Sequence, residues 1–371
     1  MGNCIKTKFL ILSDTHSCGP QKLNVPDVLV DVAIHCGDLT QGSTLHEFRV
    51  SLDLLRQIKA TLKLVIAGNH DFTLDAKTFA RKVKEARGPF KVPPGVVDKI
   101  YGPPGAARSL IDSDSDNIIF LDEGTHRFNL KNGASLTVYA SPFTPSRDLE
   151  KGSTYMRSTG HKFAIPEGMD IVITHGPPKG VLDMDRTGKR AGCDDLLAAV
   201  AKARPRMHCF GHIHEAWGAR LIVWPKSTSE SLSHVTDITS QRYVLVNNLT
   251  TLHPRPGGLR KTDVQKASRL QEAREVGYIK TSHCGSSRDA HPIEPGRKTL
   301  FVNAAIIPNP RTKEKQLPWI VEIDLPASKE ADSRKDSIGG NLPCPFPCQD
   351  PSLSIESLTE MTTRLSIESA A

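Results

Sequence analysis

Five short apolar runs in this chain each end in side chains that can bind a metal ion. The residues that offer ligand atoms after these runs are Asp14, His16, Asp38, Asn69, His175, His212 and His214. They supply two carboxylates, one amide oxygen and four imidazoles, with no thiolate among them. Seven ligands exceed what one ion needs, and they suit two ions that share a bridging carboxylate. The set therefore predicts a dinuclear metal site.

Each of these five motifs is weak on its own. A single D-x-H, G-D or histidine after a strand is usually a turn or a hydrogen-bonded loop residue. The segments GNHD (68–71) and GHIH (211–214) are more informative but short. The occurrence of all five, each after an apolar run, favours a shared site. Since His212 and His214 are separated by one residue, each can serve a different ion of the pair.

The apolar runs predict the elements that carry these residues. The runs are 8–12, 30–36, 62–67, 117–121, 136–140, 170–174 and 207–210. Several of them are typical of strands that are covered on both faces. Residues 44–58 have apolar side chains at helical spacing, and Thr44 and Glu47 can form a capping box. The segment CDDLLAAVAKA (193–203) predicts a second covering helix. The fold class is layered α/β, in which strand ends converge on a ligand site and glycines let the backbone turn.

The motifs, taken in order, resemble those of the calcineurin-like metallophosphoesterase superfamily. The flanking segments resemble its metallophosphoesterase-domain-containing, cyclic nucleotide phosphodiesterase-like subfamily; they are GNHDFTLD, YASPFTP, THGPPKGVLDMDRTGKRAGCDDLL and FGHIHEAWG. The resemblance covers residues 7–218 and about 299–326. It implies an α-β-β-α sandwich with a dinuclear metal site at the carboxyl ends of strands.

The resemblance also implies a role for each candidate residue. It implies that the first ion is held by Asp14, His16 and His214, and the second by Asn69, His175 and His212. Asp38 would bridge the two ions. His70 would not bind metal but would face the leaving group as the catalytic residue. Two ions would lower the pKa of a shared water and supply the hydroxide that attacks phosphorus. The mixed nitrogen and oxygen ligands suit two divalent or trivalent ions of Mn, Fe or Zn.

The implied reaction is the hydrolysis of a phosphodiester, with a small or cyclic nucleotide as substrate. The second motif has the pattern G-D-x-x-D-R-G in Ser/Thr protein phosphatases and G-D-x-x-Y in purple acid phosphatases. At the fifth position of these patterns, where they have Asp or Tyr, this chain has Gln41. Two alternatives stay open. One is a phosphomonoesterase or protein phosphatase, and the other is a weakly catalytic metal-binding protein that acts through its basic segment and tail.

The composition favours a soluble, cytoplasmic protein. The 371 residues are 38% hydrophobic, which allows a sizeable core, and no apolar run reaches the length of about 18 residues of a membrane span. The eight cysteines are scattered, without the spacing of a zinc site or the density of a disulfide scaffold. In MGNCIK, Gly2 and Cys4 could carry lipids, but Lys6 replaces the required Ser or Thr, so we expect no anchor.

Charge and low complexity mark the parts outside the resemblance. Most of the net charge of +7 lies in residues 251–298, so the rest is nearly balanced and no nucleic-acid partner is favoured. Thr262 and Gln265 predict a capped surface helix in that segment. We expect a metallophosphoesterase domain over 1–325 with an insertion at about 220–298. Residues 326–371 are Ser-rich, contain LSIES twice and are typical of a disordered tail.

Overall fold

A computed structural model gives the fold over residues 3–20, 23, 25–226, 238, 243–248, 260–307 and 315–328. Gly2, both copies of LSIES and all but the first three residues of the expected tail lie outside these described residues. None of the described helices is both long enough and apolar enough to cross a membrane.

The described elements alternate between strands and helices along most of the chain. In chain order the strands are β1 Cys4–Leu12, β2 Val30–His35, β3 Ala60–Val65, β4 Ile118–Phe120, β5 Gly124–Asn129, β6 Ser135–Ser141, β7 Thr144–Ser146, β8 Thr154–Met156, β9 Ile171–Thr174, β10 Met207–Phe210, β11 Gly218–Val223, β12 Tyr243–Asn248, β13 Ile279–Ser282, β14 Lys298–Asn303 and β15 Trp319–Pro326. The helices are α1 Leu45–Gln57, α2 Ala76–Arg87, α3 Pro94–Tyr101, α4 Ala106–Asp112, α5 Asp194–Ala203 and α6 Lys261–Val276, with short 3₁₀ turns at Phe72–Leu74 and His214–Ala216. Every apolar run predicted as a strand is a strand, with ends that differ by up to four residues.

The strands form two large mixed sheets and one small pair. The first sheet has the order β13-β15-β1-β2-β3-β4, in which only β1 and β15 are antiparallel neighbours. The second has the order β12-β11-β14-β10-β9-β6-β5, in which β14, β10, β9 and β6 run parallel and both edges are antiparallel. β7 and β8 pair with each other in parallel. Parallel strands place their carboxyl ends at one edge, and that edge carries the candidate site.

The two sheets pack face to face and helices cover their outer faces. Along β1, Phe9 and Ile11 belong to the core between the sheets, whereas Leu10 belongs to a second core beneath α1 and α4. This alternation follows from the two-residue period of a strand. A third core packs α5 against the outer face of the second sheet, through Leu197 among others. The predicted α-β-β-α sandwich is confirmed.

Two buried tryptophans join the two sheets at the inter-sheet core. Trp217, directly before β11, and Trp319, the first residue of β15, stack with ring centroids 4.7 Å apart and are fully buried. A stacked aromatic pair contributes about 0.5–1.5 kcal/mol beyond its burial. The stacked pair therefore connects the start of β11 in the second sheet to the start of β15 in the first sheet.

One of the two predicted capping boxes is present. At the start of α1 the Glu47 N–H donates to Thr44 Oγ1 at 3.2 Å, and the Thr44 N–H donates to Glu47 Oε2 at 2.9 Å. The box predicted for Thr262 and Gln265 is wrong, although the helix exists as α6. An N-cap residue must be extended and precede the first helical turn. Arg260 has that conformation and position, and Thr262 already lies inside the helix.

The described part of the segment 220–298 is built into both sheets. β11 pairs with β14 and β12 in the second sheet, and β13 pairs with β15 in the first. Between them lies α6, whose Leu270 and Ala273 are buried in the inter-sheet core. This segment therefore contributes to the scaffold behind the site as well as to the surface.

Candidate metal centre

The fold brings all eight candidate site residues together at one edge of the sandwich. Three strands of the first sheet and two of the second contribute, and each candidate follows its strand by one to five residues. A cleft of about 360 Å³ opens onto six of them, which are His16, Asp38, Asn69, His70, His212 and His214. Asp14 and His175 are fully buried behind this surface. Ligand groups contributed by two sheets thus meet around one opening.

Four of the candidate ligands have a left-handed backbone that non-glycine residues rarely adopt. They are Asp14, His16, Asp38 and His212, with φ between 43° and 67°. Hydrogen bonds between the loops hold this conformation: the Asp14 N–H donates to Gly37 O at 2.9 Å, and the His16 N–H donates to Asp38 O at 3.0 Å. Unfavourable backbone conformations concentrate at functional sites, where the surrounding structure maintains them.

Three glycines beside the candidate ligands act in two ways, one through its turn and two through the room they leave for a carboxylate. Gly37 has φ +94°, so the expected sharp turn is present there. Gly68 and Gly211 do not have positive φ, and steric space explains them instead. A Cβ at Gly68 would lie 2.2 Å from Asp38 Oδ1, and a Cβ at Gly211 would lie 2.0 Å from Asp14 Oδ2. Any side chain at these two positions would displace a candidate ligand.

The first group of candidate ligands is Asp14, His16 and His214. Asp14 Oδ1 lies 3.1 Å from His214 Nε2 and 4.0 Å from His16 Nε2. His16 Nδ1 donates to the Thr40 carbonyl at 3.2 Å, which leaves Nε2 directed at the other two residues. A hydrogen bond of this kind fixes the tautomer and orientation of an imidazole ligand. The three ligand atoms lie within 4.8 Å of one another, a spacing that could hold a cation.

The second group is Asn69, His175 and His212. Asn69 Oδ1 lies 3.1 Å from His175 Nε2, and the same atom position is 2.8 Å from His212 Nδ1. His175 Nδ1 donates to the Cys36 carbonyl at 2.9 Å, so its Nε2 faces the amide. That hydrogen bond also crosses from the second sheet to the first. His212 and His214 therefore lie in different groups of candidate ligands.

Asp38 lies between the two groups. Its Oδ2 is 3.6 Å from His16 Nε2 and 3.4 Å from His175 Nε2. Its Oδ1 accepts the His70 N–H at 2.8 Å, which fixes the carboxylate in this position. One oxygen atom is thus within reach of both groups, the arrangement required of a bridging carboxylate.

Two features of the donor atoms test whether cations fit here. His16 Nε2 is buried and has no hydrogen-bond partner among the described residues. The Asn69 oxygen faces two imidazole nitrogens, although a reversed amide would let its nitrogen donate to both. Buried polar atoms are normally satisfied. A cation in each group would satisfy His16 Nε2 and would favour the oxygen-inward amide, so the donor set fits a pair of metal ions.

The protonation of the site follows from burial and mutual charge. Burial alone would raise the pKa of Asp14, but the hydrogen bond from His214 and the charges of the surrounding histidines together outweigh burial and hold the pKa well below its usual value. Burial by itself would lower the pKa of His175, yet the charge and hydrogen bond of Asp38, together with the Asp14 charge and the Cys36 hydrogen bond, outweigh burial and raise the pKa to about 9. Burial lowers the pKa of His212 to about 3. The metal-free site therefore combines ionised carboxylates with a proton on His175.

His70 makes two hydrogen bonds at the mouth of the cleft. Its Nδ1 donates to the Gln41 carbonyl at 2.8 Å, and its Nε2 lies 3.0 Å from Lys151 Nζ. Its distances to His16 and Asp38 would also allow it to join a metal ion. Because the Gln41 carbonyl engages Nδ1, Nε2 is the ring nitrogen on the cleft side, beside Lys151.

Two residues that shape this site, Asp71 and Lys151, were assigned no role from the motifs. Asp71 is buried and accepts hydrogen bonds from Gly68, Leu39 and Thr40 backbone N–H groups at 2.9–3.0 Å, which joins two of the ligand-bearing loops. Burial and the Asp38 charge raise the pKa of Asp71 to about 7. Its place in GNHD was the available signal. Lys151 had no such signal, because only the folded chain brings it to the cleft.

Comparison with known proteins agrees with this geometry. The family model described as calcineurin-like phosphoesterase matches residues 7–216, more than half of the chain. The chain belongs to the calcineurin-like phosphoesterase family. This match spans the strands and loops that carry all eight candidate site residues. The resemblance found in the motifs is confirmed.

The similar proteins include relatives from animals and a fungus. Human metallophosphoesterase domain-containing protein 1 is 33% identical over 220 residues, which are 57% of this chain and 62% of that protein. The Caenorhabditis elegans UPF0046 protein T07D4.2 is 32% identical over 51% of this chain and 47% of its own length. A probable rhamnogalacturonate lyase C of Emericella nidulans is 30% identical over 58% of this chain but only 18% of that protein. The chain spans less than two thirds of each of these relatives.

Metal binding to this calcineurin-like site is expected to release protons. A metal ion binds only neutral imidazole, and His175, with a pKa of about 9, is mostly protonated at pH 7.5. As the pH is lowered below 9, the apparent affinity for Mn²⁺ should therefore fall about tenfold per pH unit for each proton displaced. Calorimetric titration with Mn²⁺ at pH 7.5, in two buffers of different ionisation enthalpy, measures the proton count. Equal heats in both buffers would contradict the expectation.

Proposed function

We propose that this protein is a metal-dependent phosphoesterase that uses two ions and cleaves a phosphodiester of a small or cyclic nucleotide. The position of Asp38 Oδ2 carries the proposal, because it lies within 3.6 Å of imidazole nitrogens from both ligand groups. Membership of the calcineurin-like phosphoesterase family supports the same reaction class.

The proposed ligands are assigned to two ions according to the distances between their ligand atoms. One ion would be held by Asp14, His16 and His214, the other by Asn69, His175 and His212, with Asp38 shared. When bound, such a pair supplies Lewis acidity that ionises water near neutral pH and offsets charge on a phosphoryl group. Nitrogen and oxygen ligands without a thiolate suit Mn, Fe or Zn. We propose two Mn ions or a pair that contains Fe.

The protein's own residues would orient the ester and protonate the leaving group. His70 lies at the cleft with Nε2 outward and its ring centroid 4.8 Å from that of His16. With a proton on Nε2 and the Lys151 ammonium turned to another acceptor, His70 would donate to the departing oxygen. The backbone carbonyl of Gln41 holds the ring by accepting from Nδ1.

The diester preference is supported by the subfamily resemblance and by Gln41. This residue lines the cleft. It stands at the motif position where protein phosphatases have an Asp and purple acid phosphatases have a Tyr. A neutral amide supplies neither a further carboxylate nor a phenolate ligand. A panel of cyclic nucleotides, nucleotide diesters and phosphomonoesters, assayed with Mn²⁺, Fe²⁺ and Zn²⁺, tests the substrate class. Higher kcat/KM on monoesters than on all diesters would contradict the diester assignment.

Replacing His70 by Ala is expected to lower kcat without removing metal. General acid catalysis contributes typically about 10²–10⁴ in rate, and bis(p-nitrophenyl) phosphate with Mn²⁺ provides a simple assay. His46→Ala, at an exposed histidine of α1, is the matched control and should keep wild-type activity. Wild-type kcat in His70→Ala, with normal metal content, would remove His70 from the proposed mechanism.

A further inference from the structure

Lys151 is held at the edge of the candidate site by the connection between β7 and β8. The next residue, Gly152, donates its N–H to Asn69 O at 3.0 Å, and the Ser153 N–H donates to Asp75 Oδ2 at 2.9 Å. A Cβ at Gly152 would lie 2.6 Å from the Phe72 Cα, so glycine permits this close approach. The loop that bears Lys151 is thus attached directly to the turn that bears Asn69 and His70.

The Lys151 ammonium points into the cleft rather than to a carboxylate. Nζ lies 3.0 Å from His70 Nε2 and lines the same opening as the candidate ligands. Among the described residues, no Asp or Glu forms an ion pair with it, and the adjacent Glu150 pairs with Arg81 at 3.3 Å. An ammonium held in this way provides a positive charge that is available to a ligand.

The amide of Asn69 gives a second indication when metal ions hold its oxygen inward, because only the reversed amide would let that oxygen accept from Lys151. When its oxygen faces the imidazoles of His175 and His212, its nitrogen lies 3.2 Å from Lys151 Nζ. Both of these nitrogen atoms are hydrogen-bond donors, so neither satisfies the other. An acceptor oxygen within reach of both would satisfy them. A phosphoryl oxygen has this chemistry, and charge-assisted hydrogen bonds to phosphate are among the stronger ones in proteins.

We propose that Lys151 binds a phosphoryl oxygen of the substrate and of the phosphate product, beside His70. The assignment rests on the proposed phosphoesterase function and extends it. Lys151 supplies a positive charge to the cleft in addition to any metal. Its contribution is greatest for doubly charged phosphate, which is the state of a monoester product or of inorganic phosphate.

The test measures binding of inorganic phosphate to the full chain loaded with Mn²⁺. Lys151→Gln removes the charge and keeps a hydrogen-bonding side chain, and loss of a charged hydrogen bond should weaken phosphate binding about 10- to 100-fold. Lys151→Arg keeps the charge and should retain most of the affinity. Lys162→Gln, at an exposed lysine before β9, removes the same charge and should bind phosphate like wild type. Mn²⁺ affinity without phosphate should be unchanged in all three variants.

Two results would overturn the assignment. One is a phosphate affinity in Lys151→Gln equal to that of wild type, and the other is equal weakening in Lys162→Gln, which would indicate a general effect of charge. Because phosphate binding needs no turnover, the two proposals fail separately. A protein that binds phosphate through Lys151 but hydrolyses no ester would refute only the proposed function. Turnover with unaltered phosphate binding in Lys151→Gln would refute only the role of Lys151.

Discussion

Asp38→Asn is expected to lose metal and nearly all activity, with kcat reduced on the order of 10³-fold or more. The variant removes one of the two carboxylates among seven candidate ligands, and it removes the one whose Oδ2 lies between the two groups. The amide can still accept the His70 N–H, so the local fold is preserved. Metal per protein, measured by elemental analysis after dialysis, should fall below two.

The matched control for this variant is Asp53→Asn. Asp53 is an exposed carboxylate on α1 that pairs with Arg56 at 2.6 Å. It belongs to neither group of candidate ligands. Surface pairs of this kind contribute little, so its metal content and kcat should match wild type. If Asp38→Asn kept two Mn ions and wild-type turnover, neither a bridging role nor the proposed mechanism could stand.

The ligand positions were predictable because the chemistry lies next to strong local signals. β1 ends in the buried apolar run FLIL, β9 and β10 are buried along their whole length, and the candidate ligands follow these strands within a few residues. Once parallel strands are assumed, the convergence of their carboxyl ends follows from topology. The sequence reasoning therefore needed no loop conformation to place Asp14, His175 or His212 at one edge.

Residues on long connections could not be placed in this way. Lys151 reaches the cleft because Gly152 packs against Phe72 and donates to Asn69, contacts between segments about 80 residues apart. Neither spacing nor composition encodes such a contact. The predicted start of α6 was wrong for a smaller reason: Thr262 has a capping side chain, but the N-cap is Arg260, two residues earlier.

The glycines before the ligands show how a correct pattern can have a different cause. A turn-forming role was expected for all of them, and Gly37 fulfils it. At Gly68 and Gly211 the absence of a Cβ matters because a carboxylate occupies that volume. The distinction has a measurable consequence, because neither position has a positive φ and a Cβ there would collide with neighbouring atoms. These atoms belong to Asp14 and Ser13 at Gly211, and to the carboxylate and backbone N of Asp38 at Gly68.

Gly211→Ala is accordingly expected to disrupt the first group of ligands while the fold remains. The new methyl group would lie 2.0 Å from Asp14 Oδ2 and 2.2 Å from Ser13 Oγ, so the Asp14 carboxylate must move. A displaced ligand atom should weaken Mn²⁺ binding by about 100-fold or more, and overpacking should cost about 1–3 kcal/mol of stability. Calorimetric titration with Mn²⁺ and thermal unfolding without metal measure the two effects. Gly68→Ala should act in the same way on Asp38, since its Cβ would lie 2.2 Å from Oδ1.

Gly95→Ala separates this steric effect from the general effect of adding a methyl group. Gly95 lies in α3 with no heavy atom within 4 Å of its would-be Cβ, so alanine there should leave Mn²⁺ binding unchanged. It should also stabilise the helix slightly, by up to about 1 kcal/mol. If Gly211→Ala and Gly68→Ala both bound two Mn ions as tightly as Gly95→Ala, then the carboxylates of Asp14 and Asp38 would not be fixed by the strand-end loops. The ligand geometry would then have to form only when metal binds, and the two sheets would not preorganise the site.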